Sequence, residues 1–399
     1  MKTKFLLIIS IIYSSFSFLN AQTTTNFGEN SGIQGNSNSF FGYRSGEDNI
    51  ADFNTFIGYS AGANNVSGEY NVFVGYMSGY ENTIGHHNLF LGITSGKLNT
   101  TGQFNTYLGN ASGRQNSIGN YNTAIGNEAG MNNKASHNTF YGHYSGRKNQ
   151  TGSSNVFIGS QSGSKNTTGN SNTFIGYQSG GFNSIGVYNN FSGYQSGYYN
   201  TEGQRNTFNG YRSGFNNILG GKNTYLGFYA GFNATGSNNV FVGHSAGSNE
   251  TGSDKLYIDN SNIDAPLIYG DFATNQLGIN TNNIPIEYAF AVKGKIISEE
   301  ITVKIYPWAD FVFEESYNLP TLKDVEKHIK EKGHLKNIPS ANEVAEKGVN
   351  VGEMEALLLQ KIEELTLYTI EQEKKINKQD EINKNLEKRL LQIEYLIKQ

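Results

Sequence analysis

One nine-residue phrase recurs thirteen times between Asn38 and about Gly252. A clear copy occupies Asn172–Gly180 and reads Asn-Thr-Phe-Ile-Gly-Tyr-Gln-Ser-Gly. The first glycine of each copy is its anchor, and successive anchors lie 16 or 17 residues apart. A fixed period this short predicts an array whose units cannot each bury a core and must stack on their neighbours. The anchors are Gly42, Gly58, Gly75, Gly92, Gly109, Gly126, Gly142, Gly159, Gly176, Gly193, Gly210, Gly227 and Gly243.

The residue types within a copy indicate strands rather than helices. Counted from the anchor, every copy has Asn at −4 and Gly at +4, and position −2 is aromatic in every copy except the one with Ala124. Gly and Asn disfavour helices, aromatic and β-branched residues favour strands, and glycine suits the turns between them. We therefore predict a mainly β fold, a β-solenoid or β-roll of about thirteen coils over residues 38–253. At the strand spacing of a sheet, thirteen coils would extend roughly 60 Å.

Side-chain alternation along a strand assigns the two faces of each repeat. Positions −4 and −2 share one face, and positions −3, −1 and +1 share the other. The first face hardly varies between copies, as expected where identical residues stack above and below each other. We predict that this face is the interior, with the Asn side chains forming a hydrogen-bonded ladder and the rings forming a stack. The stacked residues are Phe56, Phe73, Phe90, Tyr107, Phe140, Phe157, Phe174, Phe191, Phe208, Tyr225 and Phe241.

The other face stays largely apolar at position −1. A contiguous apolar row is unusual on a surface exposed to water, so we predict that the row contacts another chain. Its members include Ile57, Val74, Leu91, Leu108, Ile125, Ile158 and Ile175.

The repeated phrase resembles the Asn-Ser-x-Ala-Ile-Gly repeats in the heads of YadA-like trimeric autotransporter adhesins. The resemblance extends from Asn38 to about Gly252. It implies a left-handed β-roll that assembles as a trimer. The copies in this chain are longer, and they carry Phe where the adhesin heads prefer Ala.

The N-terminal residues predict export. Two lysines precede the apolar run Phe5–Leu19, and Ala21 provides a small residue for cleavage before Gln22. We predict that residues 1–21 are a signal peptide, with a retained membrane anchor as the alternative. Residues 22–37 form a lead-in to the repeats. The mature protein is expected outside a bacterial cell or on its outer surface, without a membrane span.

Composition and motifs argue against several classes of function. The chain has no Cys, which excludes disulfides and thiol chemistry, and its net charge of −4 argues against nucleic-acid binding. The seven histidines lack metal-ligand spacing, and the repeat glycines lack the Lys-Ser/Thr of a phosphate loop. No cluster of acids and bases interrupts the repeats. We predict that the protein is not an enzyme and holds no metal or cofactor.

Two short regions follow the repeats. Residues 254–304 contain brief strand-like runs separated by turn residues, which predicts a β transition region. Residues 305–351 predict a small α+β domain with a helix from Lys323 to Lys332, capped by Thr321 and Gly333. The transition region, which ends in Val292-Lys293-Gly294-Lys295-Ile296, resembles the segments that precede the C-terminal domain of phage-type tail-fibre proteins. Residues 306–350 resemble the C-terminal region of bacterial tail-fibre-like proteins, and both resemblances imply a fibre.

The final stretch, residues 352–399, predicts a long charged helix with apolar residues at heptad spacing. A lone amphipathic helix folded onto its own domain is one interpretation. We favour a self-associating coiled coil, and isoleucine at both kinds of core position favours three strands, hence a homotrimer. The predicted trimerisation residues are Leu358, Ile362, Leu365, Ile376, Leu386, Leu390, Ile393 and Ile397.

Three functions fit these features. The first is a secreted or cell-surface structural or adhesive fibre that binds a glycan or a protein through tyrosines at position +1. Packing within the trimer is the alternative role for those tyrosines. The second is a phage-derived tail-fibre-like receptor-binding protein, and the third is an ice-binding solenoid that uses threonines at −3. The candidate ligand-binding residues are Tyr43, Tyr59, Tyr76, Tyr177, Tyr194 and Tyr211.

Overall fold

A computed structural model of the protein describes residues 24–304 and 308–398. The chain divides into two compact units, with the boundary between Ile296 and Ile297. The predicted signal peptide, residues 1–21, lies outside the described residues.

The described part of the first unit forms a β-solenoid, which confirms the predicted fold class at this level. Its eighteen strands belong to one sheet. The first fifteen pair in parallel with their sequence neighbours, so that each residue lies beside its counterpart in the next repeat. These strands are β1 Thr25–Phe27, β2 Ser39–Phe41, β3 Thr55–Ile57, β4 Val72–Val74, β5 Leu89–Leu91, β6 Thr106–Leu108, β7 Thr123–Ile125, β8 Thr139–Tyr141, β9 Val156–Ile158, β10 Thr173–Ile175, β11 Asn190–Ser192, β12 Thr207–Asn209, β13 Thr224–Leu226, β14 Val240–Val242 and β15 Lys255–Ile258.

The aromatic residues at −2 form the interior stack that the sequence predicts. Phe174 is fully buried, and its ring centroid lies 4.8 Å from those of Phe157 and Phe191, with nearly parallel ring planes. At Ala124 the ring is missing. Phe140 in the next coil leans into the vacated space, because its ring is tilted by 34° from that of Phe157.

Asparagines join successive coils through hydrogen bonds in the interior. The Asn172 amide donates to the carbonyl of Gly186 in its own coil at 2.8 Å, and its carbonyl oxygen accepts from the backbone N–H of Asn189 in the next coil at 3.0 Å. The predicted Asn ladder is therefore confirmed. A second buried ladder, which the sequence analysis did not identify, runs through position +7, where Asn183 donates to Asn166 at 2.8 Å.

The anchor glycines allow the coils to approach each other closely. Gly176 has a φ of 129°, which side-chain-bearing residues rarely adopt. A Cβ at Gly176 would lie 2.5 Å from the carbonyl oxygen of Gly193 in the next coil. Glycine is therefore required by both the backbone conformation and the distance to the neighbouring coil.

The expected number of thirteen coils is too low, because the parallel ladder contains fifteen strands. β1 has Thr24 in place of the −4 Asn, and the Thr24 hydroxyl donates to the carbonyl of Gly35 as the Asn amides do in later coils. β15 lacks both the Asn and the anchor glycine, but Tyr257 keeps the aromatic position beside Phe241. The terminal coils depart from the repeated phrase, so phrase counting misses them.

Three further strands follow the ladder, as the short strand-like runs predict. They are β16 Ile268–Asp271, β17 Gln276–Ile279 and β18 Phe290–Val292. β16 is antiparallel to both β15 and β17, whereas β18 is parallel to β17.

Every regular element among the described residues of the second unit is a helix. A 3-10 helix at Ala309–Phe313 precedes α1 Leu322–Lys332, α2 Ala341–Lys347 and α3 Val351–Ile397. The predicted caps at Thr321 and Gly333 are confirmed. The predicted α+β character is not confirmed, because residues 308–350 contain no strand. Within the 3-10 helix, Val312 is buried at 2% exposure, whereas Phe311 and Phe313 are 38% and 58% exposed.

Candidate functional site

The six tyrosines at +1 lie on the outside of the solenoid in two separate groups. Tyr43, Tyr59 and Tyr76 are 39–49% exposed, and their rings stack at 5.2 and 5.3 Å. The second group, Tyr177, Tyr194 and Tyr211, stacks at 5.3 and 5.0 Å. Five coils separate the two groups. None of them has a tyrosine at +1, and His143 is the one aromatic residue at that position.

A second exterior row of rings occupies position −5 and was missed by the sequence analysis. Six consecutive rings stack with centroids 4.8–5.1 Å apart, although each of these residues has a left-handed backbone with φ of 55–63°. The constant spacing from the anchor could have revealed the row. We call it the N-terminal ring stack; it contains Phe53, Tyr70, His87, Phe104, Tyr121 and His137.

A third group of rings adjoins the second tyrosine group and includes positions +5 and +6. Phe215 stacks between Tyr198 at 5.3 Å and Phe232 at 5.1 Å. Tyr229 connects this stack to the +1 row, because its ring meets those of Phe232 and Tyr211 edge to face. We call this group the aromatic corner patch; it contains Phe182, Tyr198, Tyr199, Phe215, Tyr229 and Phe232.

Tyr199 has an unusual orientation within the aromatic corner patch. Its ring is inclined by 75° to Tyr198 and by 85° to Phe215, whereas those two rings lie nearly parallel to each other. Stacked rings have their faces directed along the array. The Tyr199 ring therefore lies crosswise to the stack. Its centroid is also 5.3 Å from that of Phe182, with the ring planes tilted by 38°, and its side chain is 39% exposed.

The positively charged side chain of Arg212 lies against the aromatic corner patch. The guanidinium carbon of Arg212 lies 5.1 Å from the centroid of Phe215 and 5.5 Å from that of Tyr211. Its Nε donates to the Gln195 side chain at 2.8 Å, and Gln195 in turn donates to Gln178 at 2.7 Å. Among the described residues, no carboxylate pairs with Arg212, whereas Glu128 pairs with Arg147 at 2.6 Å.

Charge is distributed unevenly along the repeats. Residues 24–100 contain six Asp and Glu and two Lys and Arg, giving a formal charge of −4. Residues 101–248 contain eight Lys and Arg and two Asp and Glu, giving +6. The aromatic corner patch thus lies in the basic part of the solenoid, and the N-terminal ring stack begins in the acidic part.

The eight heptad residues of α3 are all exposed within the single chain. Leu358, Ile362 and Leu365 are 50%, 59% and 63% exposed, and the more C-terminal members are 51–78% exposed. The same turns of the helix bury polar residues: Gln360 and Glu364 are only 8% and 6% exposed. The helix therefore directs its polar face toward its own domain and its apolar face outward.

A hydrogen-bonded cluster fixes this orientation of α3. Glu364 accepts from Tyr317 at 2.5 Å, from Gln360 at 2.9 Å and from Lys361 at 2.8 Å. Burial by itself raises the pKa of Glu364, but the hydrogen bonds from Lys361 and Tyr317 outweigh burial and lower this pKa below its usual range. The carboxylate is therefore ionised and paired at neutral pH.

Across residues 24–304 and 308–398, no three His, Cys, Asp or Glu side chains come together as metal ligands. None of the described helices is both long and apolar enough to cross a membrane. The fold and these surfaces define a β-solenoid protein with a long C-terminal helix. Comparison of the chain with protein-family models, curated protein sequences and solved structures finds no match.

Proposed function

We propose that the protein is a non-enzymatic, secreted or cell-surface fibrous protein that displays its solenoid on a trimeric coiled-coil base. The outward-facing apolar row of α3 carries this proposal. A helix folded only onto its own domain would bury its apolar residues and expose its polar ones, and residues 358–365 do the reverse. Association of the apolar rows of several chains would cover them.

The solenoid supplies the display surface in this proposal. Stacked rings and Asn ladders fill the interior of the described coils, so we assign ligand binding to the exterior. The exterior presents exposed tyrosines at +1 and apolar residues at −1, including Ile57 at 40% and Ile175 at 41%. The +1 tyrosines are the surface we assign to ligand binding, and the −1 row is the surface we assign to contact with another chain.

A charge in the centre of the apolar row tests the trimer. Ile376 is 52% exposed. The neighbouring Asn377 lies about 100° further round the helix and so outside the apolar row. In the Ile376→Asp variant, each association would bury an unpaired carboxylate, at a cost of about 3 kcal/mol or more per chain. We expect the mature protein to have the mass of three chains by light scattering, and the Ile376→Asp variant to have the mass of one.

The Asn377→Asp variant is the matched control. It introduces the same charge one residue away with a similar change in helix propensity, and we expect it to remain trimeric. A wild-type protein that has the mass of one chain at micromolar concentration would overturn the trimer. Equal dissociation of both variants would show that charge on the helix, rather than burial of the apolar row, controls assembly.

A further inference from the structure

The aromatic corner patch has a composition that the regular repeat does not explain. Most of the rings outside the solenoid stack along the array, so their faces are occupied by neighbouring rings. Tyr199 is different, because among the described residues no ring stacks parallel to it: its ring is inclined by 75° to Tyr198, by 85° to Phe215 and by 38° to Phe182, and its side chain is 39% exposed. A ring face of this kind can stack on the C–H face of a sugar ring.

Arg212 provides a charged group beside Tyr199, because both side chains contact Phe215. Both Arg212 and Tyr199 contact Phe215, at 5.1 Å and 5.2 Å from its centroid. The bond from Nε to Gln195 fixes the guanidinium plane, and the terminal nitrogens have no acceptor among the described residues. A guanidinium held in one orientation suits paired hydrogen bonds to a carboxylate or a sulfate.

We propose that Tyr199 and Arg212 form a binding site for an acidic glycan, with the sugar ring on Tyr199 and its carboxylate or sulfate on Arg212. This inference rests on the proposed function, since it names the ligand class of the display surface. Charge complementarity favours an acidic partner, because residues 160–248 contain four Lys and Arg and one Glu. Lys165, whose Nζ lies 5.6 Å from the centroid of Phe182, adds a second cation at the same patch.

Other parts of the chain provide matched comparisons. Arg147 also lies over a ring, that of Tyr144 at 4.5 Å, but it is neutralised by Glu128. The N-terminal ring stack is aromatic and exposed, but it has acidic neighbours such as Asp52 and Glu69. Neither location should bind an acidic glycan.

The test measures binding of the mature full-length protein to four polymers immobilised on a sensor surface. They are polygalacturonate, its methyl ester, dextran sulfate and polyglutamate. We expect binding to polygalacturonate or dextran sulfate, and weak binding to the methyl ester and to polyglutamate. Stronger binding to polygalacturonate would indicate a carboxylate ligand, and stronger binding to dextran sulfate would indicate a sulfate ligand. Failure to bind either acidic polysaccharide would overturn the proposal, as would equal binding of the methyl ester.

Two substitutions locate the site. Arg212→Gln and Tyr199→Ser should each weaken binding of the preferred acidic polysaccharide about tenfold or more. Arg147→Gln changes net charge by the same amount, and Tyr70→Ser removes a ring from the N-terminal ring stack; both should leave binding unchanged. Equal losses with Arg147→Gln would indicate diffuse charge attraction and would refute the site. Tight binding to polyglutamate would indicate an acidic peptide ligand instead.

Folding and assembly are checked in the same samples. Tyr199→Phe keeps the ring face and should bind as the wild type does, which separates loss of the site from loss of folding. Arg212→Lys keeps the charge but not the paired geometry, and should bind with intermediate strength. A protein with the mass of three chains that binds neither acidic polysaccharide would refute the glycan site and leave the trimer intact.

Discussion

Replacing Gly176 by Ala should destabilise the solenoid by about 3 kcal/mol or more. Two effects contribute to this loss. The φ of 129° is a conformation that costs a side-chain-bearing residue on the order of 1–3 kcal/mol. The added Cβ would also lie 2.5 Å from the carbonyl oxygen of Gly193, so that two coils must separate, at a further cost of about 1–3 kcal/mol.

The form of the unfolding transition should change as well. In a linear array, stability is approximately the sum of repeat terms and interfaces between neighbours. A weakened interface at Gly176 divides the ladder near its middle. We expect urea unfolding of the Gly176→Ala variant to begin at lower urea and to be less steep than in the wild type.

The chain allows the two units to be followed separately in this experiment. Its single Trp, Trp308, belongs to the second unit, whereas the repeats hold most of the tyrosines. Tyrosine near-UV circular dichroism should report the altered solenoid transition, and Trp fluorescence should be unchanged. Ser160→Ala, which alters an exterior +1 residue, should change the free energy of unfolding by less than about 0.5 kcal/mol. An unaltered tyrosine transition in the Gly176→Ala variant would contradict the close approach of the coils.

The sequence predicts the strand part of each coil because its face pattern is simple. Positions −4 and −2 point inward by period-two alternation, and Asn172 and Phe174 are both fully buried. Alternation ends at the turns, where several residues adopt left-handed conformations. The inward positions of Ser179 and Asn183 therefore could not be derived from it, and the second Asn ladder was missed.

The candidate site was predictable only where it follows the strand. The +1 tyrosines continue the outward face, and the structure places them outside the solenoid as expected. Tyr199 and Arg212 come from different coils and from turn positions +6 and +2. Their common contact with Phe215 depends on how the turns of two neighbouring coils fold back in space. No spacing rule for strands or helices brings these positions together.

For the C-terminal helix too, the sequence predicts one feature and not another. Heptad spacing predicts which residues of α3 form an apolar row, and it requires only the 3.5-residue repeat. It does not predict which face the domain itself covers. That choice depends on Tyr317, which lies 47 residues from Glu364 in the chain and binds its carboxylate.

Asn172→Asp should be the most informative change in the interior, because it alters one atom of a buried ladder. The Asn172 amide donates to the carbonyl of Gly186 at 2.8 Å and faces the side-chain oxygen of Asn155 at 3.3 Å. A carboxylate at this position would lose both donations and would place a negative charge beside two acceptor oxygens. We expect a loss of about 3 kcal/mol or more at pH 7, from an unpaired buried charge and an unsatisfied carbonyl.

This penalty should depend on pH in a defined direction. Burial and the neighbouring oxygens disfavour the charged form, so the pKa of the introduced carboxyl in the folded state is raised above its usual value of about 3.9. The neutral carboxyl can donate to Gly186 in place of the amide. The difference in stability from the wild type should therefore be small below pH 4 and should grow as the pH rises through the raised pKa.

Asn170→Asp supplies the control for both parts of this prediction. Asn170 is partly exposed, and its oxygen accepts from the backbone N–H of Ser153 at 2.8 Å, a bond that a carboxylate can also accept. We expect this variant to differ from the wild type by less than about 0.5 kcal/mol. Urea unfolding at pH 4, 5.5 and 7 measures both variants against the wild type at each pH. A pH-independent penalty in Asn172→Asp would mean that the introduced carboxylate reaches water, and the interior ladder would then be open to solvent rather than sealed.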